Sequence, residues 1–120
     1  MKYTAIDLFC GAGGLSAGLE MAGFTVLAGN DLFDAAGATF SATHPHAKFM
    51  GGPIQELTVE RLMQVTGLKR GELTVLVGGP PCQAYSVYNH QRSMFDARAT
   101  LFREYLRIVD GMRPEWTVME

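Results

Sequence analysis

Leu73-Thr74-Val75-Leu76-Val77-Gly78-Gly79-Pro80-Pro81-Cys82-Gln83 runs from a near-continuous apolar segment directly into two glycines, two prolines and a thiol. The apolar segment reads as a strand buried on both faces, the pattern of a parallel sheet. Open α/β sheets bind ligands just beyond the carboxyl ends of their strands, and Cys82 is delivered there. Pro80 fixes its own φ and, like Pro81, biases the preceding residue toward extended geometry, so the backbone around the thiol is stiff. By residue type alone a free cysteine is a small buried apolar residue. In this setting a stiff thiol at the rim of a sheet reads instead as a nucleophile.

Ala5-Ile6-Asp7-Leu8-Phe9-Cys10-Gly11-Ala12-Gly13-Gly14-Leu15 is a second apolar strand, here entering a glycine-rich turn and then a helix. Gly11, Gly13 and Gly14 allow a tight turn and close approach of backbone to a ligand. The helix starting near Leu15 aims its unpaired amides and positive dipole end at that ligand. Gly-x-Gly-Gly is not the dinucleotide fingerprint, so a nucleotide-like cofactor fits better than a nicotinamide.

The remaining pattern alternates. Strands are expected over 3–8, 25–29, 47–50, 73–77 and 116–119, and helices over 15–21, 35–43, 59–66 and 100–111. Gly23 supplies a helix stop, and Asp34 and Thr58 read as helix caps. His44-Pro45 ends the second helix. Residues 78–99 read as a long loop, too long for a routine connection. Strands alternating with helices imply an α/β fold with a parallel sheet and helices on both faces.

At 120 residues the chain is at most one domain, and its 48% hydrophobic and 18% charged composition suits a packed core. A net charge of −2 gives no general attraction to nucleic acid. However, Arg92, Arg98, Arg103, Arg107 and Arg113 concentrate basic residues in the last quarter, where a one-sided arrangement could still meet DNA. The plainer reading is that Arg103 and Arg107 solvate a helix face. The two cysteines form neither a disulfide framework nor a zinc pattern, and both read as reduced thiols. No metal site is expected. No signal-type segment and no membrane span is read from the sequence.

Together these stretches resemble the DNA (cytosine-5) methyltransferase family. Asp7-Leu8-Phe9-Cys10-Gly11-Ala12-Gly13-Gly14 is similar to its first S-adenosylmethionine motif, and Gly79-Pro80-Pro81-Cys82-Gln83 to its catalytic motif. Asp96-Ala97-Arg98-Ala99-Thr100-Leu101-Phe102 is similar to the next motif, and Pro114-Glu115-Trp116-Thr117-Val118-Met119-Glu120 to the approach to the glutamate-asparagine-valine motif. The four occur in family order. The resemblance implies a Rossmann-like S-adenosylmethionine-dependent methyltransferase fold, incomplete after the fifth strand. Residues 1–120 are then the N-terminal portion of the catalytic domain, the half that binds cofactor and carries the nucleophile.

The resemblance also implies roles. Cys82 attacks carbon 6 of cytosine, so that carbon 5 can take a methyl group. Glu120 contacts nitrogen 3 and the exocyclic amine of the base, as an acid whose pKa is raised by burial. Arg98 pairs with Asp96, Glu120 or a phosphate, or is simply a solvated loop arginine. Gln83 and Ser86 touch the DNA backbone, and Tyr85, Tyr88, Asn89 and His90 could fill the gap left by an extruded base. Phe9, Cys10, Gly11, Ala12, Gly13 and Gly14 hold S-adenosylmethionine. Asp31 accepts from the ribose hydroxyls or serves a turn, and Leu32 packs on the adenine. Ile54, Pro80 and Leu101 complete the cofactor lining. Pro53 departs from the family pattern, which commonly has an aspartate there for the adenine amine.

The implied partner is double-stranded DNA with its target cytosine flipped from the stack. A C-terminal half with the target-recognition region, in the same chain or another, is a further partner, because that region is not found in the sequence. A truncated piece, one half of a split enzyme and a degenerate remnant all fit, and the fifth strand should then present an uncovered apolar edge. The expected setting is the cytoplasm of a bacterium or phage-infected cell, at the nucleoid. Two alternatives stay open: a non-catalytic S-adenosylmethionine-binding subunit or remnant, and an RNA cytosine methyltransferase.

Overall fold

The computed structural model describes residues 2–80 and 92–120, with side chains for all of these except 92–98. Five strands form one sheet: β1 (Thr4–Leu8), β2 (Thr25–Asp31), β3 (Lys48–Gly51), β4 (Val75–Gly78) and β5 (Trp116–Met119). Their order is β3-β2-β1-β4-β5, and every neighbouring pair is parallel. Helices α1 (Gly14–Met21), α2 (Asp34–Thr43), α3 (Val59–Thr66) and α4 (Arg92–Met112), with a 3₁₀ turn at Ile54–Glu56, make the connections.

Parallel strands need crossovers long enough to hold a helix, and the helices cover both faces of the sheet. On one face Leu57, Leu62, Tyr105, Ile108 and Met112 pack on Ile6, Leu8 and Leu76. On the other, Leu15, Leu19 and Phe40 pack on Ala5, Val26, Val75 and Val77. β1 and β4 are buried along their whole lengths, as the apolar runs required. Among the described residues no helix is long and apolar enough to cross a membrane.

Local chemistry sets the helix ends. Gly23 closes α1 with paired bonds, its N–H to the Glu20 carbonyl and that of Phe24 to the Leu19 carbonyl, and Phe24 and Leu19 share one apolar cluster. Thr58 caps α3 by accepting from the Arg61 N–H at 3.0 Å. Asp34, expected as a cap, is instead the first residue of α2. Phe33 holds the cap position, and the Asp31 carboxylate accepts its N–H.

Other boundaries differ from expectation. β4 is displaced by two residues at its start, because Leu73 uses its carbonyl for the Glu115 N–H before strand pairing begins. β2 runs on to Asp31, paired there with Gly51. The largest difference is α4, which starts at Arg92 rather than at 100. Residues 92–99 contain neither glycine nor proline, so no breaker stops the helix from propagating backward.

Candidate cofactor and catalytic site

The strand order places a topological switch point between β1 and β4. From β1 the chain leaves for β2 on one side, and β4 continues to β5 on the other. Crevices at such points are where open α/β sheets bind ligands. Leu8 and Gly78 are register partners at the two carboxyl ends. The glycine-rich turn and the Gly79-Pro80 segment therefore leave the sheet side by side. Gly78 permits this closeness: a Cβ there would lie 3.0 Å from the Leu8 carbonyl and 2.6 Å from the Tyr105 ring.

Phe9 takes φ 55°, a left-handed value uncommon for a bulky side chain and a form of strain found at ligand sites. Gly13, with φ 98°, is the N-cap of α1, and no side chain caps that end. No acidic residue lies in the first turn either, so the leading amides and the positive dipole end are left for a ligand. The turn is pinned by four bonds. Cys10 N–H donates to the Asn30 carbonyl and Gly13 N–H to the Cys10 carbonyl, each at 3.0 Å. Gly11 N–H donates to the Asp31 carboxylate at 2.9 Å, and His44 Nε2 lies 3.0 Å from the Gly13 carbonyl.

Side chains beneath the turn are buried and polar. Asp7, on the central strand, accepts the Ser16 hydroxyl at 2.6 Å, which ties α1 to β1. Burial pushes the Asp7 carboxyl up to about 6, against the Ser16 hydrogen bond, which lowers it. Cys10 is 7% exposed, with its sulfur in the apolar cluster, and burial pushes its thiol up to about 12. With its sulfur in the core and directed to the Gly11 carbonyl, Cys10 presents mainly backbone to the turn.

The predicted lining residues divide. Ala12 and Gly14 are exposed, Gly11, Asp31 and Phe9 half-buried. Leu32 and Phe33 are 58% and 67% exposed beside Asp31, a paired apolar surface of which the motif resemblance implies only Leu32. The clue lay in two large apolar residues directly after a strand-ending aspartate. Ile54 is only 3% exposed and belongs to the main core, so it gives a ligand little surface. Leu101 and Pro80 are half-buried, Leu101 against that same core. Pro53 borders a hollow of about 360 Å³ with Asn30, Phe49, Met50, Glu56 and Arg61. The Asn30 amide donates to the Met50 and Gly52 carbonyls and so shapes this wall, a role that no motif signals.

Glu120 donates its N–H to the Gly78 carbonyl at 2.9 Å. Its carboxylate reaches over Gly79, where a Cβ would sit 3.3 Å from Oε1. The predicted acid thus stands beside the segment that leads to Cys82. It is exposed, so the burial expected to hold its proton is not supplied by its described neighbours. Cys82, Gln83, Ser86, Tyr85, Tyr88, Asn89 and His90 lie outside the described residues, as does the Arg98 side chain. Arg107 pairs with Glu104 at 3.1 Å and donates to the Ile54 carbonyl at 3.0 Å, so it braces α4 against the 3₁₀ turn.

A family profile for the C-5 cytosine-specific DNA methylase matches residues 3–120. The Type II methyltransferase M.AgeI of Thalassovita gelatinovora is 39% identical over 96% of this chain, which spans 27% of that protein. M.NgoPII of Neisseria gonorrhoeae is 36% identical over 96% of the chain and 32% of its own length. For M.AquIA of a Picosynechococcus strain the values are 31%, 100% and 48%. The chain thus spans less than half the length of these curated relatives. Among solved structures, a prophage-encoded DNA modification methyltransferase of E. coli superposes with a TM-score of 0.77 at 28% identity, over 93% of this chain and 30% of that one. The S. pombe Dnmt2 methyltransferase shares the fold, with a TM-score of 0.61 at 16% identity over 90% of this chain and 29% of that one. By its match from residue 3 to residue 120, on the parallel sheet and switch-point crevice described above, the chain belongs to the C-5 cytosine-specific DNA methylase family, whose members take their methyl group from S-adenosylmethionine.

Proposed function

We propose that residues 1–120 are the cofactor-binding and nucleophile-bearing portion of an enzyme that methylates carbon 5 of cytosine in DNA through a covalent cysteine adduct. The observation that carries this reading is the register pairing of Leu8 with Gly78, which sets the glycine-rich turn beside the strand end leading to Cys82. The turn fits the methyl donor. It has an uncapped helix N-terminus and left-handed Gly11 and Gly13. It also has a strand-end carboxylate with acceptor capacity left, and exposed Leu32 and Phe33 beside it. Asp31 is suited to ribose hydroxyls, and Leu32 and Phe33 to the flat faces of adenine. When bound, the cofactor supplies an electrophilic methyl on sulfur.

The chain's own groups supply the rest. The Cys82 thiolate adds to carbon 6 of a flipped cytosine, and carbon 5 becomes enamine-like and takes the methyl group. A solvent base then takes the carbon 5 proton, the carbon 6–sulfur bond breaks to release the thiolate, and the nitrogen 3 proton returns to Glu120, which restores the ring and the enzyme. Glu120 serves nitrogen 3 as a proton donor, and a closed complex with DNA supplies the burial that keeps it protonated. Gln83, Ser86 and Arg98 contact the DNA backbone. The relatives' greater length supports a further C-terminal region, on this chain or another, for target recognition. The Type II names of the relatives support a restriction-modification role in a bacterial cytoplasm.

The test combines the chain with a protein supplying the region that the relatives carry beyond the match. Transfer of tritiated methyl from S-adenosylmethionine to duplex DNA is then followed. Transfer abolished by Cys82→Ser supports the proposal. Cofactor binding without transfer to DNA or tRNA would instead identify a binding subunit, and transfer to tRNA alone an RNA methyltransferase.

A further inference from the structure

His44 is buried at the end of α2, far in sequence from the glycine-rich turn and from every motif above. Its Nε2 meets the Gly13 carbonyl at 3.0 Å, and its Nδ1 is paired with the Glu20 carboxylate on α1. The same Gly13 carbonyl accepts the Ala17 N–H at 2.9 Å. A Cβ on Gly13 would strike His44 Nε2 at 2.7 Å, so ring and turn are in direct contact. The ring also lies against Phe40, with centroids 5.0 Å apart.

Both ring nitrogens face acceptors. Neutral imidazole has one N–H, so it can donate to only one of them; the doubly protonated ring donates to both. The charged groups around it are Glu20 from α1, Asp7 from β1, and His46 from the segment before β3, which shares the other Glu20 oxygen. We propose that Glu20, His44 and Gly13 form a proton-dependent strut. In it His44 is a positioning residue that holds the glycine-rich turn in its cofactor-binding shape while both ring nitrogens carry protons. The inference rests on the turn being the S-adenosylmethionine site. When one proton is lost, either the bond to Gly13 or the bond to Glu20 must go, and the N-terminal end of α1 loses a restraint.

The test measures S-adenosylhomocysteine binding to the whole chain by calorimetry from about pH 5 to about pH 8, the range over which histidine ordinarily changes charge. Wild-type affinity should fall about tenfold across it, in keeping with loss of one charge-assisted hydrogen bond. His44→Phe keeps the ring packing on Phe40 and should bind weakly at every pH. Glu20→Gln keeps the side-chain shape on a partly exposed helix position and should likewise flatten the profile. Nitrogen NMR of the free wild-type chain should show both His44 nitrogens protonated at the low end of the range and one at the high end. Equal wild-type affinity at all pH values, or variants that follow the wild type throughout, overturns the strut alone. Binding absent at every pH overturns the cofactor reading, and the strut's function with it.

Discussion

Asp7 is a carboxyl held almost without solvent on the central strand, and its balance of forces can be read by titration. Folded, it keeps its proton to about 6, whereas a free aspartate loses it near 3.8. Between those values the native chain binds more protons than the unfolded one, so this group makes stability fall as pH rises, with no further change above about 6. The full span corresponds to about 3 kcal/mol. Asp7→Asn should remove this loss, so in urea denaturation the variant gains on the wild type between about pH 4 and about pH 7. A difference that stays constant with pH would rule the account out. Gly13 is the second sensitive position. Gly13→Ala places a Cβ at φ 98° and against His44, and should destabilise by about 1–3 kcal/mol while weakening cofactor binding. Thermal melting and calorimetry read the two effects separately. Neither residue's role was complete in the sequence. The glycine pattern announced a turn, but nothing local to it named His44, which arrives from 31 residues away.

Among the elements, α4 does more than cover the sheet. Buried Tyr105 directs its hydroxyl to the Leu76 carbonyl at 3.2 Å and the Val118 carbonyl at 3.0 Å, clasping β4 to β5. Its ring also lies directly under Gly78, the residue before the segment proposed to carry the nucleophile. Tyr105→Phe keeps the ring and removes the clasp. The expected loss is about 1 kcal/mol in equilibrium unfolding, with methyl transfer reduced more than cofactor affinity. Equal loss of both would show the effect to be general loosening. Thr58→Ala should lower stability by a similar amount, about 1 kcal/mol, through the cap of α3 alone. Thr58 and Gly23 were legible because capping is local chemistry. The start of α4 was not, since residues 92–99 adjoin the glycine- and proline-rich segment and share its loop reading, although they carry no helix breaker. The register of β4 was also hidden, because strand ends depend on partners distant in the chain.

For the whole molecule, alternating strands and helices implied a parallel sheet, and resemblance of the motifs supplied the rest of the architecture. The meeting of Leu8 with Gly78 was beyond periodicity, because it depends on β1 pairing with β4 across most of the chain. The outer strand β5 exposes Trp116, Val118 and Met119, with Leu106 of α4 also exposed. An unprotected apolar edge of this kind invites pairing between copies. Sedimentation should show the chain by itself associating as concentration rises, and Val118→Lys should suppress this while leaving circular dichroism unchanged. Trp116 adds a practical consequence. It is the only indole in the chain, and it stands 69% exposed on that edge. Its emission should therefore be that of a wetted fluorophore, and should move to shorter wavelength once another polypeptide seals the margin. The molecule thus carries a native optical probe for any polypeptide that docks along that strand.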